Sequence, residues 1–139
     1  MARGVPLTDI HPVFEARAND QDLDGLMELY EPDATMVLMD GSAVTGTAAI
    51  REQLAAILEL KGRMTLRGRY VVEAGDLALL SNEWTLVAGD QTMSAVTHEV
   101  ARRQPDGSWL YVVDHPFAGR GAEQPAAAAP AADSREWAD

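Results

Sequence analysis

Apolar positions recur at helical spacing over the first sixty residues and alternate in long runs thereafter. Ile10, Val13, Phe14 and Ala18 lie three or four apart, which predicts a first helix capped by Thr8 or Asp9, with Pro12 in its first turn. Asn19-Asp20 breaks that pattern. A second short helix starts at Asp22, carries Leu23, Leu26, Met27 and Tyr30 on one stripe, and stops at Pro32, because proline disfavours a helical residue just before it. Ala34–Met39 reads as a strand, Asp40-Gly41 as a turn and Ser42–Val44 as a short return strand. Gly46-Thr47 opens a third helix with Ile50, Leu54, Ile57 and Leu58 on one face, ended by Gly62.

Three long strands follow, Met64–Glu73, Leu77–Ala88 and Thr92–Arg103, and a fourth, Ser108–His115, ends at Pro116. The turns between them carry Gly75-Asp76, Gly89-Asp90 and Asp106-Gly107, so successive strands are predicted to be antiparallel neighbours. Helices first and strands after is the order of an α+β domain. Along Leu77–Ala88 both the even and the odd positions hold apolar groups, so neither sheet face is expected to be fully solvated. Helices can cover only one face in a chain this small. A second subunit is the simplest cover for the other, which predicts a homodimer through the convex face of the sheet.

The pattern stops after Phe117. Residues 118–139 hold nine alanines in 22 positions, with Pro125 and Pro130, and Trp137 as the one large apolar side chain. Such a stretch has little apolar surface to offset its ordering entropy, so a domain over 6–117 is predicted to end in a flexible Ala/Pro-rich tail.

Length and charge narrow the functional classes. A chain of 139 residues fits one domain with room for a small-molecule pocket. The net charge of −11 repels phosphate backbones and anionic membranes, so neither nucleic acid nor membrane is an expected partner. No leader-like apolar segment and no cysteine are present, and a cytoplasmic protein is the expectation. Three scattered histidines and the lack of any Gly-rich phosphate loop or G-x-S-x-G elbow point to neither a metal nor another cofactor.

Several segments are similar to the nuclear transport factor 2-like superfamily, which includes ketosteroid isomerases and SnoaL-like cyclases. Asn19-Asp20-Gln21-Asp22 through Leu29-Tyr30-Glu31-Pro32-Asp33-Ala34 resembles its "N-x-x-D-x-x-x-[LI]-x-x-L-[YF]-x-x-D-A" segment, and Gly46 with Ile50-Arg51 resembles its "G-x-x-x-I-R" helix start. Gly75-Asp76-Leu77-Ala78-Leu79, Trp84, Arg102 to Trp109 and Asp114-His115-Pro116 are most similar to the SgcJ/EcaC-type branch. The resemblance implies a cone-shaped, cystatin-like α+β fold, with three N-terminal helices packed on a curved antiparallel sheet. Its motifs are turns and packing positions, so function has to come from the site.

Ketosteroid isomerases use an Asp base and an oxyanion hole of Tyr and a protonated acid. Carried across by motif, the Tyr falls at Phe14, the base at Leu38 and the acid at Glu99, which leaves two roles unfilled. SnoaL-like cyclases instead imply Asp114, in the last strand, as acid/base. Its neighbours Val112-Val113 and His115-Pro116-Phe117 are largely apolar, and such surroundings raise a carboxyl pKa towards neutrality. The competing reading is a structural Asp held by backbone amides or by Arg102 or Arg103. Strand parity puts Val112, Asp114 and Pro116 on one face, and the resemblance makes it the concave one, with Asn82, Trp84, Thr97 and Glu99. His98 then faces outward, His115 is opposed to Asp114 in the same way or sits at the rim where the strand end twists, and His11 is expected to be exposed.

The expected site therefore has Asp114, Glu99 and Tyr30 in catalytic roles, Asp114 moving protons and Glu99 or Tyr30 polarising a carbonyl. Trp84, Asn82, Phe14, Leu38, Met36 and Val112 would hold the ligand. The expected activity is cofactor-free acid–base chemistry, of isomerase, cyclase or hydrolase type, on an apolar oxygenated metabolite such as a polyketide-like intermediate. The alternative is a non-catalytic binding or auxiliary protein of secondary metabolism.

Overall fold

The computed structural model describes residues 4–120. After a 3-10 turn at Leu7–Asp9 come α1 (Ile10–Asn19), α2 (Leu23–Met27), β1 (Tyr30–Val37), β2 (Ala43–Thr45), α3 (Thr47–Leu58), β3 (Arg63–Ala74), β4 (Leu77–Ala88), β5 (Gln91–Arg103) and β6 (Trp109–Arg120). The strands form one sheet in the order β2-β1-β6-β5-β4-β3. Three helices pack on one face of it, the α+β cone expected from the sequence. One pairing departs from that expectation. β1 runs parallel to β6, so the sheet is mixed.

Local contacts explain where the elements stop. Asn19, at the end of α1, donates from Nδ2 to the Met64 carbonyl at 2.8 Å and accepts from the Met64 N–H at 2.7 Å, tying the helix to the start of β3. The Asp22 carboxylate caps α2 by accepting the Gly25 N–H at 2.9 Å. Tyr30 does not end this helix, as the apolar stripe suggested. The chain is captured by β6 first, with the Tyr111 N–H donating to the Leu29 carbonyl at 2.7 Å, and Tyr30 opens β1 opposite Tyr111. Pro32 lies inside β1, where the register slips between Tyr30 and Thr35 and no ladder N–H is required of it. α3 buries Ile50, Leu54 and Leu58. Lys61 takes the left-handed turn after it, and Gly62 is needed for a different reason, since a Cβ there would sit 2.7 Å from the Val87 carbonyl oxygen.

β6 is the second correction. It runs through Pro116 to Arg120, past the expected end of the domain at Phe117. Two additional residues are accommodated opposite β5 between His115 and Gly119, so Pro116 sits where the ladder is already broken. Residues 121–139, including Trp137, lie outside the described residues. No helix among the described residues is long and apolar enough to cross a membrane.

The core fills the space between helices and sheet with Ile10, Leu26, Leu29, Ile50, Leu80 and Trp84, among others. Burying each such side chain contributes about 1.5–3 kcal/mol. The odd positions of β4 point the other way. Leu79 and its cross-strand neighbour Val72 are 42% and 53% exposed there, whereas Ser81 and Glu83 lie beneath Arg69 and Arg67.

Gly46, before α3, has φ +99° and ψ 161°, a region nearly closed to L residues. Gly46→Ala is expected to lower stability by about 1–3 kcal/mol in urea denaturation, through backbone strain alone, because its Cβ would meet open space. Gly68→Ala, equally unobstructed and without a left-handed φ, is expected to be neutral or stabilising. Equal losses for the two would contradict this.

Candidate functional site

A cavity of about 320 Å³ opens between the helices and the concave sheet face. Its floor comes from one row of side chains crossing three strands, because Glu99 pairs with Asp114 and Asp114 with Met36. Direct cross-strand partners have Cβ atoms about 4.5–5.5 Å apart, so Glu99 and Asp114 are two buried acids side by side.

Each acid has its own holder. The Tyr30 hydroxyl donates to Asp114 Oδ2 at 2.6 Å, and His11 Nε2 bonds Glu99 Oε1 at 3.1 Å. The Tyr111 ring packs against both holders, 5.2 Å from the Tyr30 ring and 6.3 Å from the His11 ring. Asp114 is 6% exposed. Burial pushes its pKa up to about 7, the charge on Glu99 adds to the rise, and the Tyr30 bond opposes it. Burial also raises the Tyr30 and Tyr111 hydroxyls well above the usual phenol value, so both remain donors at neutral pH.

Walls of a different character rise from this floor. Trp84 donates its indole N–H to the Pro116 carbonyl at 2.7 Å, and Phe117 meets its ring edge-on at 5.6 Å. That bond fixes the indole and removes it as a donor to a ligand. Leu38, Leu54, Ile57 and Met93 continue the apolar lining. Among the described residues no three His, Asp or Glu side chains converge in a way that could hold a metal ion.

Of the nine site residues expected from the sequence, Asp114, Glu99, Trp84, Asn82, Phe14, Leu38 and Met36 line this cavity. Val112 does not. β6 carries an extra residue there, since Ala101 pairs with Tyr111 and Val100 with Val113. This bulge at Val112 inverts the parity, so Tyr111 lines the cavity with Asp114 and Val112 is displaced. Tyr30 is also absent from the lining. Its hydroxyl is bonded to Asp114, so it positions that acid rather than polarising a ligand carbonyl.

Two residues beyond those nine belong to the site, His11 and Tyr111. His11 is buried, not exposed, and the signal was its helical spacing of three and seven to Phe14 and Ala18. Tyr111 was hidden by the bulge, although a proline inside a strand-like run is a sign of irregular pairing. The cationic alternative for Asp114 is absent, since Arg102 bonds Glu31 at 2.9 Å and Arg103 bonds Asp76 at 2.9 Å. His98 and His115 face each other on the outer side of the sheet.

The SnoaL-like domain model matches residues 13–121. The chain belongs to the SnoaL-like domain family. No curated protein matches it. Among solved structures it is similar to a candidate calcium/calmodulin-dependent protein kinase type II association domain from Thiobacillus denitrificans, with TM-score 0.70 and 18% identity over 81% of this chain and 94% of that one. A candidate NTF2-like dehydratase from Streptomyces avermitilis gives TM-score 0.67 and 19% identity, over 78% and 90%. A ketosteroid isomerase-like protein from Erwinia carotovora atroseptica gives TM-score 0.63 and 18% identity, again over 78% and 90%. At these identities the likeness shows the shared fold. A shared fold does not fix a role, so function has to be argued from the acids that line the cavity.

A carboxyl with a higher pKa folded than unfolded binds its proton more tightly in the folded state. The contribution of Asp114 to stability is therefore full below its ordinary value of 3.8 and is lost as pH rises towards about 7. Asp114→Asn keeps an acceptor for Tyr30 and removes the buried charge. It is expected to melt above the wild-type protein at pH 8, with the gap closing by pH 5. A variant less stable than wild type at pH 8 would contradict the assignment.

Proposed function

We propose that this SnoaL-like domain is a cofactor-free enzyme that moves a proton on an apolar, carbonyl-bearing small molecule. The observation that carries the reading is Asp114, a cavity-lining carboxyl with a pKa near 7 whose Oδ2 is held by Tyr30. A group half-ionised at working pH serves both as base and, once protonated, as acid. The carboxylate takes a proton from the carbon next to the ligand carbonyl. The C–H electrons pass into a C=C bond and the carbonyl electrons onto oxygen, giving an enolate. The Tyr111 hydroxyl, kept protonated by its raised pKa, is the donor on the cavity wall suited to that oxygen. Where the enolate is conjugated with a C=C bond, protonated Asp114 returns the proton to the far carbon of that system; where the ligand carries a second carbonyl, the enolate carbon adds to it, the electrons of that C=O bond pass to its oxygen, and Asp114 gives its proton to the alkoxide.

The motifs around Gly75-Asp76 and Asp114-His115-Pro116 support the finer assignment to the SgcJ/EcaC-type branch, with a polyketide-like intermediate as substrate. The exposed apolar positions Val72, Leu77 and Leu79 support a homodimer through the convex face. Such an interface would bury roughly 1,000 Å² or more. Light scattering at micromolar concentration is expected to give a dimer, and a monomer would contradict it.

A non-catalytic binder is the second reading, favoured by the largely apolar lining. Deuterium exchange separates the two. With 2-tetralone in D2O, wild-type protein is expected to speed exchange at the carbons beside the carbonyl saturably, and Asp114→Asn to abolish the effect. Binding without faster exchange would favour the binder. Tyr30→Phe removes the bond that lowers the Asp114 pKa, so the acid limb of kcat/KM, near pH 7 in wild type, is expected to move upward. A downward shift would contradict the role given to Tyr30.

A further inference from the structure

Asn82 lies on β4, two residues from Leu80, which pairs with Glu99. It is 2% exposed and lines the cavity. Its Oδ1 is the one buried side-chain polar atom among the described residues that has no hydrogen-bond partner. Its backbone is differently placed, with the N–H donating to Thr97 Oγ1 at 3.1 Å. An amide oxygen left unpaired in an apolar interior costs about 1–3 kcal/mol, and the fold supplies nothing to relieve it. A ligand donor would.

The groups around it restrict what that donor can belong to. Two rungs of strand advance about 7 Å, so Asn82 lies diagonally across the β4–β5 ladder from Glu99, with Asp114 one strand further on at the polar corner of the cavity. That corner is rich in acceptors, through Asn82 Oδ1, Glu99 and Asp114. No Lys or Arg lines the cavity, and the chain carries a net charge of −11. A carboxylate or phosphate entering here would meet two acids and no cation. The remaining walls, with Trp84 and Phe117 set edge to face, suit a flat ring.

We infer that the cavity selects neutral, hydroxylated ring compounds of the phenol or enol class, with Asn82 Oδ1 accepting the ligand O–H, and that it rejects anions of the same shape. This rests on the reading of the cavity as the ligand site and is independent of turnover.

Calorimetric titration of the full chain at pH 7 tests it with three probes of one ring system: 2-naphthol, 2-methoxynaphthalene and 2-naphthoate. Wild-type protein is expected to bind the naphthol at least about tenfold more tightly than the methoxy compound, which cannot donate, and the naphthoate most weakly. Asn82→Leu is expected to cut the naphthol preference below about threefold while keeping or strengthening 2-methoxynaphthalene binding, which shows that the cavity is intact. Asn82→Asp keeps an acceptor in place and is expected to retain the preference. It carries the test if the leucine variant does not fold. Equal wild-type affinities for the first two probes would overturn the inference. So would a preference that survives in Asn82→Leu or is lost in a folded Asn82→Asp, tightest binding of 2-naphthoate, or no binding of any probe. Exchange of 2-tetralone without a hydroxyl preference would overturn this inference and leave catalysis standing. The preference without exchange would do the reverse.

Discussion

Two carboxylic acids, Glu99 and Asp114, are buried side by side across the β5–β6 ladder, and much of the site can be understood as a response to that. Adjacent acids out of water cannot both ionise cheaply, because desolvation penalises each charge and the charges repel. The fold gives them unlike partners. Glu99 has an imidazole from α1, a group able to carry positive charge, and Asp114 has a neutral phenol from β1. Burial and the neighbouring Glu99 raise the Asp114 pKa by more than the Tyr30 bond lowers it. The Asp114 proton is therefore exchangeable near neutrality, a property an isolated surface aspartate lacks.

Irregular strand pairing brings those partners together. The bulge at Val112 lets Tyr111 and Asp114, three residues apart, share the concave face. The wider irregularity between His115 and Gly119 carries the Pro116 carbonyl to the Trp84 indole and Phe117 to the ring beside it. A further extra residue, Arg69 on β3, lies where its guanidinium reaches Ser81 on the outer face. Bulges bend and twist a sheet, so the features that curve it around the cavity also set the side chains in the cavity. A regular ladder would have turned Tyr111 away from Asp114.

Much of the scaffold was legible in the chain. Helical spacing located α1 and α3, the Gly-Asp and Asp-Gly pairs located the hairpins, and alternation in β4 separated Trp84 and Asn82 from Leu79. Three of the departures share one cause. Val112, Tyr111 and the end of β6 depend on register slips, and alternation holds only while the register is unbroken. Tyr30 was assigned to a helix because its spacing from Met27 and Leu26 suits one, and only the parallel pairing with Tyr111 draws it into a strand. His11 shows a further limit. Its face of α1 could be inferred, but no local rule pairs it with an acid 88 residues away. The unpaired Oδ1 of Asn82 is likewise a property of tertiary packing that no motif records.

Direct titration of the Asp114 carboxyl tests the central claim most closely. The side-chain carbon of Asp114, followed by carbon-13 NMR in protein labelled at aspartate and assigned by comparison with Asp114→Asn, reports its own proton. The account predicts a midpoint near 7, well above the ordinary 3.8. A midpoint at or below about 4, the ordinary range for an aspartate, would mean that Asp114 is a plain anion at neutral pH and would contradict it.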